Sequence, residues 1–172
     1  MNMKKLVFIL TMVVALTFSA TATAQKTIVD VAVGNDDFST LVAALKAADL
    51  VSALQADGPF TVFAPTNDAF GKIDEGTLNS LLEPKNKKAL TNILTYHVIP
   101  SKLMATDVVA ALKNGNGKVE VKALNGVTLT VISKDGKIWL KDQSGNYSEI
   151  VATDVKASNG VIHVINSVMM PK

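Results

Sequence analysis

Apolar positions along this chain recur with a helical period in the first two thirds and with a period of two thereafter. Phe38, Leu41, Val42 and Leu45 fall at i, i+3, i+4 and i+7, which puts them on one stripe of a helix. Within Thr27–Gln55 that pattern predicts two helices broken near Gly34-Asn35, with Asp36 and Asp37 supplying the negative charge a helix start favours. Asp57-Gly58-Pro59 closes the segment. Phe60 to Ala64 is apolar apart from Thr61, as a strand buried on both faces should be. Pro65 has no N–H to give a ladder, so the strand is expected to stop there. Thr66 then stands as an N-cap, with Asn67 and Asp68 in the first turn of a helix that Ala69 and Phe70 begin. Further helical pieces are predicted over Thr77–Leu82, over Lys87–Val98 and over Val108–Leu112. In the second of these Leu90, Ile93, Leu94 and His97 share a face.

After Lys118 the runs VEVKAL, VTLTVI, KIWL, EIVATDV and VIHVINSVMM read as strands. They are separated by Asn125-Gly126, Asp135-Gly136, Ser144-Gly145-Asn146 and Asn159-Gly160, which suit antiparallel hairpins. Helices first and strands mostly last predict an α+β fold rather than alternating α/β units. The early strand at Phe60–Ala64 is expected to join the later sheet. No internal repeat or linker divides the chain, so residues 25–172 are expected to form a single domain.

The start of the chain changes the reading of its charge. Lys4 and Lys5 precede an uncharged apolar run from Leu6 to Phe18, and small residues follow to Ala22-Thr23-Ala24. That is the layout of a signal peptide over residues 1–24, and it predicts a secreted or periplasmic protein. The run is shorter than the roughly 20 residues that cross a bilayer, so no stable membrane insertion is expected. Without Lys4 and Lys5 the 17 basic residues become 15 lysines against 15 carboxylates. Arginine, the residue best shaped to fork around phosphate, is absent. A neutral chain without it is not expected to bind nucleic acid. Cysteine is absent too, which excludes disulfides, thiolate metal sites and a cysteine nucleophile.

Three segments together resemble the signatures of fasciclin-like (FAS1) domains: FTVFAPTNDAF at Phe60–Phe70, YHVIP at Tyr96–Pro100 and NGVIHVINSVMMP at Asn159–Pro171. The likeness covers Thr27 to Pro171. It rests in the first signature on Thr61, Phe63, Pro65, Thr66, Asn67, Asp68 and Phe70, and in the third on His163 and Asn166. Family members often carry aspartate where this chain has Asn166, an amide that keeps the hydrogen-bonding shape and loses the charge. The resemblance implies N-terminal helices packed on a wedge of two small, mainly antiparallel sheets. It also implies a non-enzymatic role in adhesion, or in protein or glycan interaction, at the cell envelope or extracellular matrix. Tyr96 and His97 are carried over as binding candidates, the partner being an extracellular or envelope protein or glycan. Weak homo-oligomerisation is a further expectation. The competing reading is an enzyme or carrier that acts on an envelope glycan or small molecule in a cleft between helices and sheet.

The residues themselves favour structural roles. His97 lies on the apolar helix face and reads as a neutral core imidazole, with the Thr66–Asp68 turn as its candidate partner. His163 sits in a strand that is apolar on both sides and reads the same way. The two histidines offer no metal-ligand spacing, so neither metal nor cofactor is expected. There is no Gly-x-Ser-x-Gly elbow and no phosphate-cradling glycine loop. Asp142–Asn146 lacks the twelfth-position glutamate of a calcium loop and reads as a polar hairpin turn. Lys85–Lys88 reads as a solvated helix start. Trp139 alternates with Lys137 and Lys141, opposite Ile138 and Leu140, and is expected to be partly exposed. There it serves either as a contact for protein or carbohydrate or as cover at the sheet edge.

Overall fold

The computed structural model describes residues 26–172. The expected signal peptide lies outside them. Helix α1 (Ile28–Val33) opens on a capping box: Thr27 Oγ1 accepts from Asp30 N–H, and the Asp30 carboxylate accepts from Thr27 N–H. A short 3₁₀ turn over Asp36–Phe38 leads into α2 (Ser39–Ala47), and α3 (Val51–Gln55) follows. The break at Gly34 is where the sequence placed it. A second break follows Ala47, where Asp49 takes a left-handed conformation (φ 55°), so Thr27–Gln55 holds three helices rather than two.

Strand β1 (Phe60–Pro65) runs through Pro65 instead of stopping before it. As the last residue of the strand, Pro65 can lie opposite Ile165 without owing the ladder an N–H. Thr66 Oγ1 then accepts from Ala69 N–H and starts α4 (Asn67–Phe70). Asp74 caps α5 (Glu75–Leu82) through Thr77 N–H. Helix α6 (Lys87–Tyr96) ends two residues earlier than its apolar stripe suggests. Its continuation, Val98–Ile99, is recruited as strand β2 against Val62 and Thr61. Helix α7 spans Ala105–Asn114, longer than the predicted Val108–Leu112.

The remaining strands are β3 (Lys118–Lys122), β4 (Thr128–Lys134), β5 (Lys137–Lys141), β6 (Tyr147–Ala157) and β7 (Gly160–Ile165). All seven join in the order β2-β1-β7-β6-β5-β4-β3, antiparallel except for the parallel pair β1 and β7. The fold is therefore α+β. β6 belongs to both halves of the sheet. Its first residues pair with β5 and its later ones with β7, with register shifts between Ile150 and Val155. Such bulges bend and twist a strand. Asp135 (φ 54°) and Gly136 (φ 73°) make the tight turn between β4 and β5 that their sequence predicts. Between β6 and β7 the turn residues are Ser158 and Asn159, and Gly160 already belongs to the strand. A Cβ on Gly160 would lie 2.0 Å from the Phe60 carbonyl oxygen, so glycine is needed there for close approach.

Two apolar clusters flank the sheet. One packs α1, α2, α3 and α6 on β1 and β7 through Leu41, Leu45, Leu90, Leu94, Val62 and Ile162. The other packs α7 on the antiparallel strands through Val108, Leu112, Leu129, Val131 and Leu140, together with Phe63 and Tyr96.

Candidate functional site

The three signature segments meet where β1, β7 and the end of α6 come together. Thr61 is fully buried on β1; its hydroxyl donates to the Ser101 carbonyl at 2.7 Å and accepts from Leu103 N–H at 2.8 Å. One threonine thus ties Ser101 and Leu103, in the turn between β2 and α7, to β1. Phe63 stacks at a tilt on His163, with ring centroids 5.8 Å apart.

His97 is 3% exposed, and both its ring nitrogens are occupied. Nδ1 lies 2.7 Å from the Ile93 carbonyl, and Nε2 accepts from Met169 N–H at 2.9 Å. A carbonyl only accepts and an amide N–H only donates, so the ring is the neutral Nδ1–H tautomer. Burial lowers its pKa from the ordinary 6.5 to about 4, against the opposing pull of the Ile93 carbonyl and the Asp142 carboxylate. Its expected partner, the Thr66–Asp68 turn, is not the one the fold supplies. Thr66 is occupied by its own helix cap, and Asn67 bonds instead to Thr40 N–H and the Asp36 carbonyl, tying α4 to the start of α2. Asp68 is exposed, and Phe70 is buried against the helices.

His163 has the opposite tautomer. Its Nε2 donates to the Leu103 carbonyl at 2.7 Å, and Nδ1 accepts from Asp154 N–H at 3.4 Å. Asp154, held at φ 58° in the bent part of β6, accepts from Ala105 N–H and so anchors the first turn of α7. Asn166 pairs with Glu149 through both its backbone and its side chain, the amide oxygen accepting from Glu149 N–H at 3.0 Å. That is an acceptor's role, which an aspartate can also fill.

Tyr96 is fully enclosed, and its hydroxyl donates to the Thr128 carbonyl at 3.3 Å. Burial, and after it the Asp142 charge, raise the pKa of the phenol. Tyr96 and His97 therefore present no surface to a partner. Asp142 is the buried group that the sequence reading passed over as part of a turn. It is 4% exposed and accepts from Asn146 N–H, Asn146 Nδ2 and Met170 N–H at 2.8, 3.1 and 3.2 Å. The signal was Asn146 four residues on, placed to close a side-chain-to-backbone turn. Among the described residues no three His, Asp or Glu side chains gather as metal ligands.

Trp139 lies elsewhere, on the solvent face of β5. It sits opposite Ile132 on β4 and Glu149 on β6, above a groove of about 350 Å³ lined by Ile132, Lys134, Asp135, Trp139 and Tyr147. Tyr147 is 48% exposed, and Lys141 Nζ sits 5.5 Å from the centre of its ring. The indole Nε1 is buried with no acceptor among the described residues.

This architecture and these signatures are those of a known class. The fasciclin domain family model matches residues 36–171, and the chain belongs to that family. It is 52% identical over 157 residues to protein sll1483 of Synechocystis sp., covering 91% of this chain and 80% of that one. It is 39% identical over 145 residues to transforming growth factor-beta-induced protein ig-h3 of Sus scrofa, covering 84% of this chain but 19% of that protein. Among solved structures, a FAS1 domain pair from the insect cell adhesion molecule fasciclin I superposes with a TM-score of 0.57 at 20% identity. That match covers 76% of this chain and 43% of the pair, and it shows the shared fold.

Proposed function

We propose that this protein is a non-enzymatic, adhesion-type FAS1 domain, exported to the periplasm or beyond, that recognises an envelope or matrix protein or glycan through its exterior. One observation carries the reading. The polar groups of the family signatures are spent inside the fold: His97 and His163 each use both ring nitrogens on backbone groups, the Thr61 hydroxyl both donates to and accepts from the backbone, and Asn166 Oδ1 accepts from a backbone N–H. Catalysis needs a general acid, base or nucleophile within reach of a substrate, and His97, His163 and Thr61 are enclosed. Membership of the fasciclin family and the likeness to a domain pair from a cell adhesion molecule point the same way. Among the described residues no helix is long and apolar enough to cross a membrane.

The test is capture. The purified protein, immobilised, is expected to retain a saturable partner from envelope or secreted fractions, and Tyr96→Phe, a change inside the core, is expected to retain it equally. Reproducible turnover of a glycan or ester from a broad substrate panel, with no retained partner, would sink this reading.

A further inference from the structure

The solvent face of β3–β6 differs in charge from the rest of the molecule. Strand alternation and register set Lys118, Glu120 and Lys122 of β3 beside Thr128, Thr130, Ile132 and Lys134 of β4. Lys137, Trp139 and Lys141 of β5 come next, then Tyr147 and Glu149 of β6. Five lysines thus face two glutamates and, at the rim of the groove, Asp135, on a chain that carries equal numbers of each sign over residues 25–172. Both glutamates are already engaged, Glu120 with Lys118 at 2.9 Å and Glu149 with Lys137 at 2.6 Å. Among the described residues Lys122, Lys134 and Lys141 have no carboxylate partner within ion-pairing distance. At strand and residue spacings of about 4.8 and 3.3 Å the platform measures roughly 14 by 20 Å. Its middle is the groove flanked by the Trp139 and Tyr147 rings, whose volume is in the range small-ligand sites occupy.

We propose that this face is a docking platform for an acidic polysaccharide, whose sugar rings stack on Trp139 and Tyr147 while its carboxylates meet Lys134 and Lys141. The inference rests on the adhesion reading and names its partner class. Flat rings set in a groove offer apolar area to the faces of a sugar, and the exposed Tyr147 adds a polar edge. Lys134, and Lys141 beside the Tyr147 ring, lack carboxylate partners among the described residues; they supply the complementary charge and steer the encounter. Lysine is a compact point charge, suited to separate carboxylates along a chain.

Binding of polygalacturonate, with uncharged dextran of matched length as control, tests the proposal by calorimetry at low and high salt. Polygalacturonate is expected to bind, dextran to bind far more weakly, and the affinity to fall as salt rises. Trp139→Ala and the double variant Lys134→Gln/Lys141→Gln are each expected to lose about tenfold in affinity. Lys85→Gln/Lys88→Gln, outside this face, is expected to leave it unchanged. The lysine variants alter side chains at the solvent face and keep the test decisive if Trp139→Ala fails to fold. Three outcomes overturn the proposal: no binding of polygalacturonate, an equal loss in the Lys85/Lys88 variant, or retention on phosphatidylglycerol vesicles without polygalacturonate binding. Should a protein partner be captured from envelope fractions while polygalacturonate is ignored, the adhesion reading stands and this one falls.

Discussion

His97 shows how a single enclosed ring sets a pH dependence. Its folded pKa, about 4, lies below the ordinary 6.5, so below pH 6.5 the unfolded chain takes up a proton that the folded chain refuses. Stability is therefore full above about pH 6.5 and declines as the pH falls toward 4, by up to about 3 kcal/mol at 1.36 kcal/mol per unit. Urea unfolding across that window is expected to show the decline, and His97→Gln should flatten the share that belongs to this ring; an unchanged slope would place the effect elsewhere. At neutral pH His97→Ala strands the Ile93 carbonyl and the Met169 N–H and is expected to cost about 1–3 kcal/mol. Trp139 offers the opposite case. Its Nε1–H has no acceptor among the described residues, so Trp139→Phe removes an unpaired donor and keeps an aromatic ring, though a smaller one. The thermal midpoint of that variant is expected to match or exceed the parent's.

Elements were legible to differing degrees, for physical reasons. Helix stripes and turn pairs are local, and the breaks at Gly34 and Asp135-Gly136 fall where they were read. What the sequence could not show was tertiary recruitment. β2 is cut out of a good helical stripe because Val62 and Thr61 need a neighbour, and β1 absorbs Pro65 because β7 lies beside it. The burial of both histidines followed from their apolar surroundings, but the partners of His97 did not, since Met169 is 72 positions away. Gly160 is a further case, read as a turn residue and used for close approach instead. Gly160→Ala drives a methyl into the Phe60 carbonyl and is expected to cost about 3 kcal/mol, measured by chemical denaturation. A variant as stable as the parent would show that β1 and β7 can slide apart without penalty.

At the scale of the molecule, β1 and β7 give Val62 and Ile162 to one apolar cluster and Phe63 and Ile165 to the other, and β6 is hydrogen-bonded to both β5 and β7. The two clusters are expected to melt together. Trp139, the single tryptophan, reports on the antiparallel half, while far-ultraviolet circular dichroism is weighted to the helices of the other. Coincident midpoints from the two signals are expected, and separated ones would show two independently folding parts.

The parallel pairing of β1 with β7 also governs when the molecule can be completed. Phe60 finds its neighbour in Gly160, a hundred positions later, and every rung up to Pro65 waits for the same late segment. A nascent chain stalled anywhere before Gly160 has its helices in hand but nothing to fill the middle of the sheet. Closure of the sheet therefore waits for residues 160–165, and a chain cut before them leaves β1 with β2 as its one sheet neighbour among the described residues.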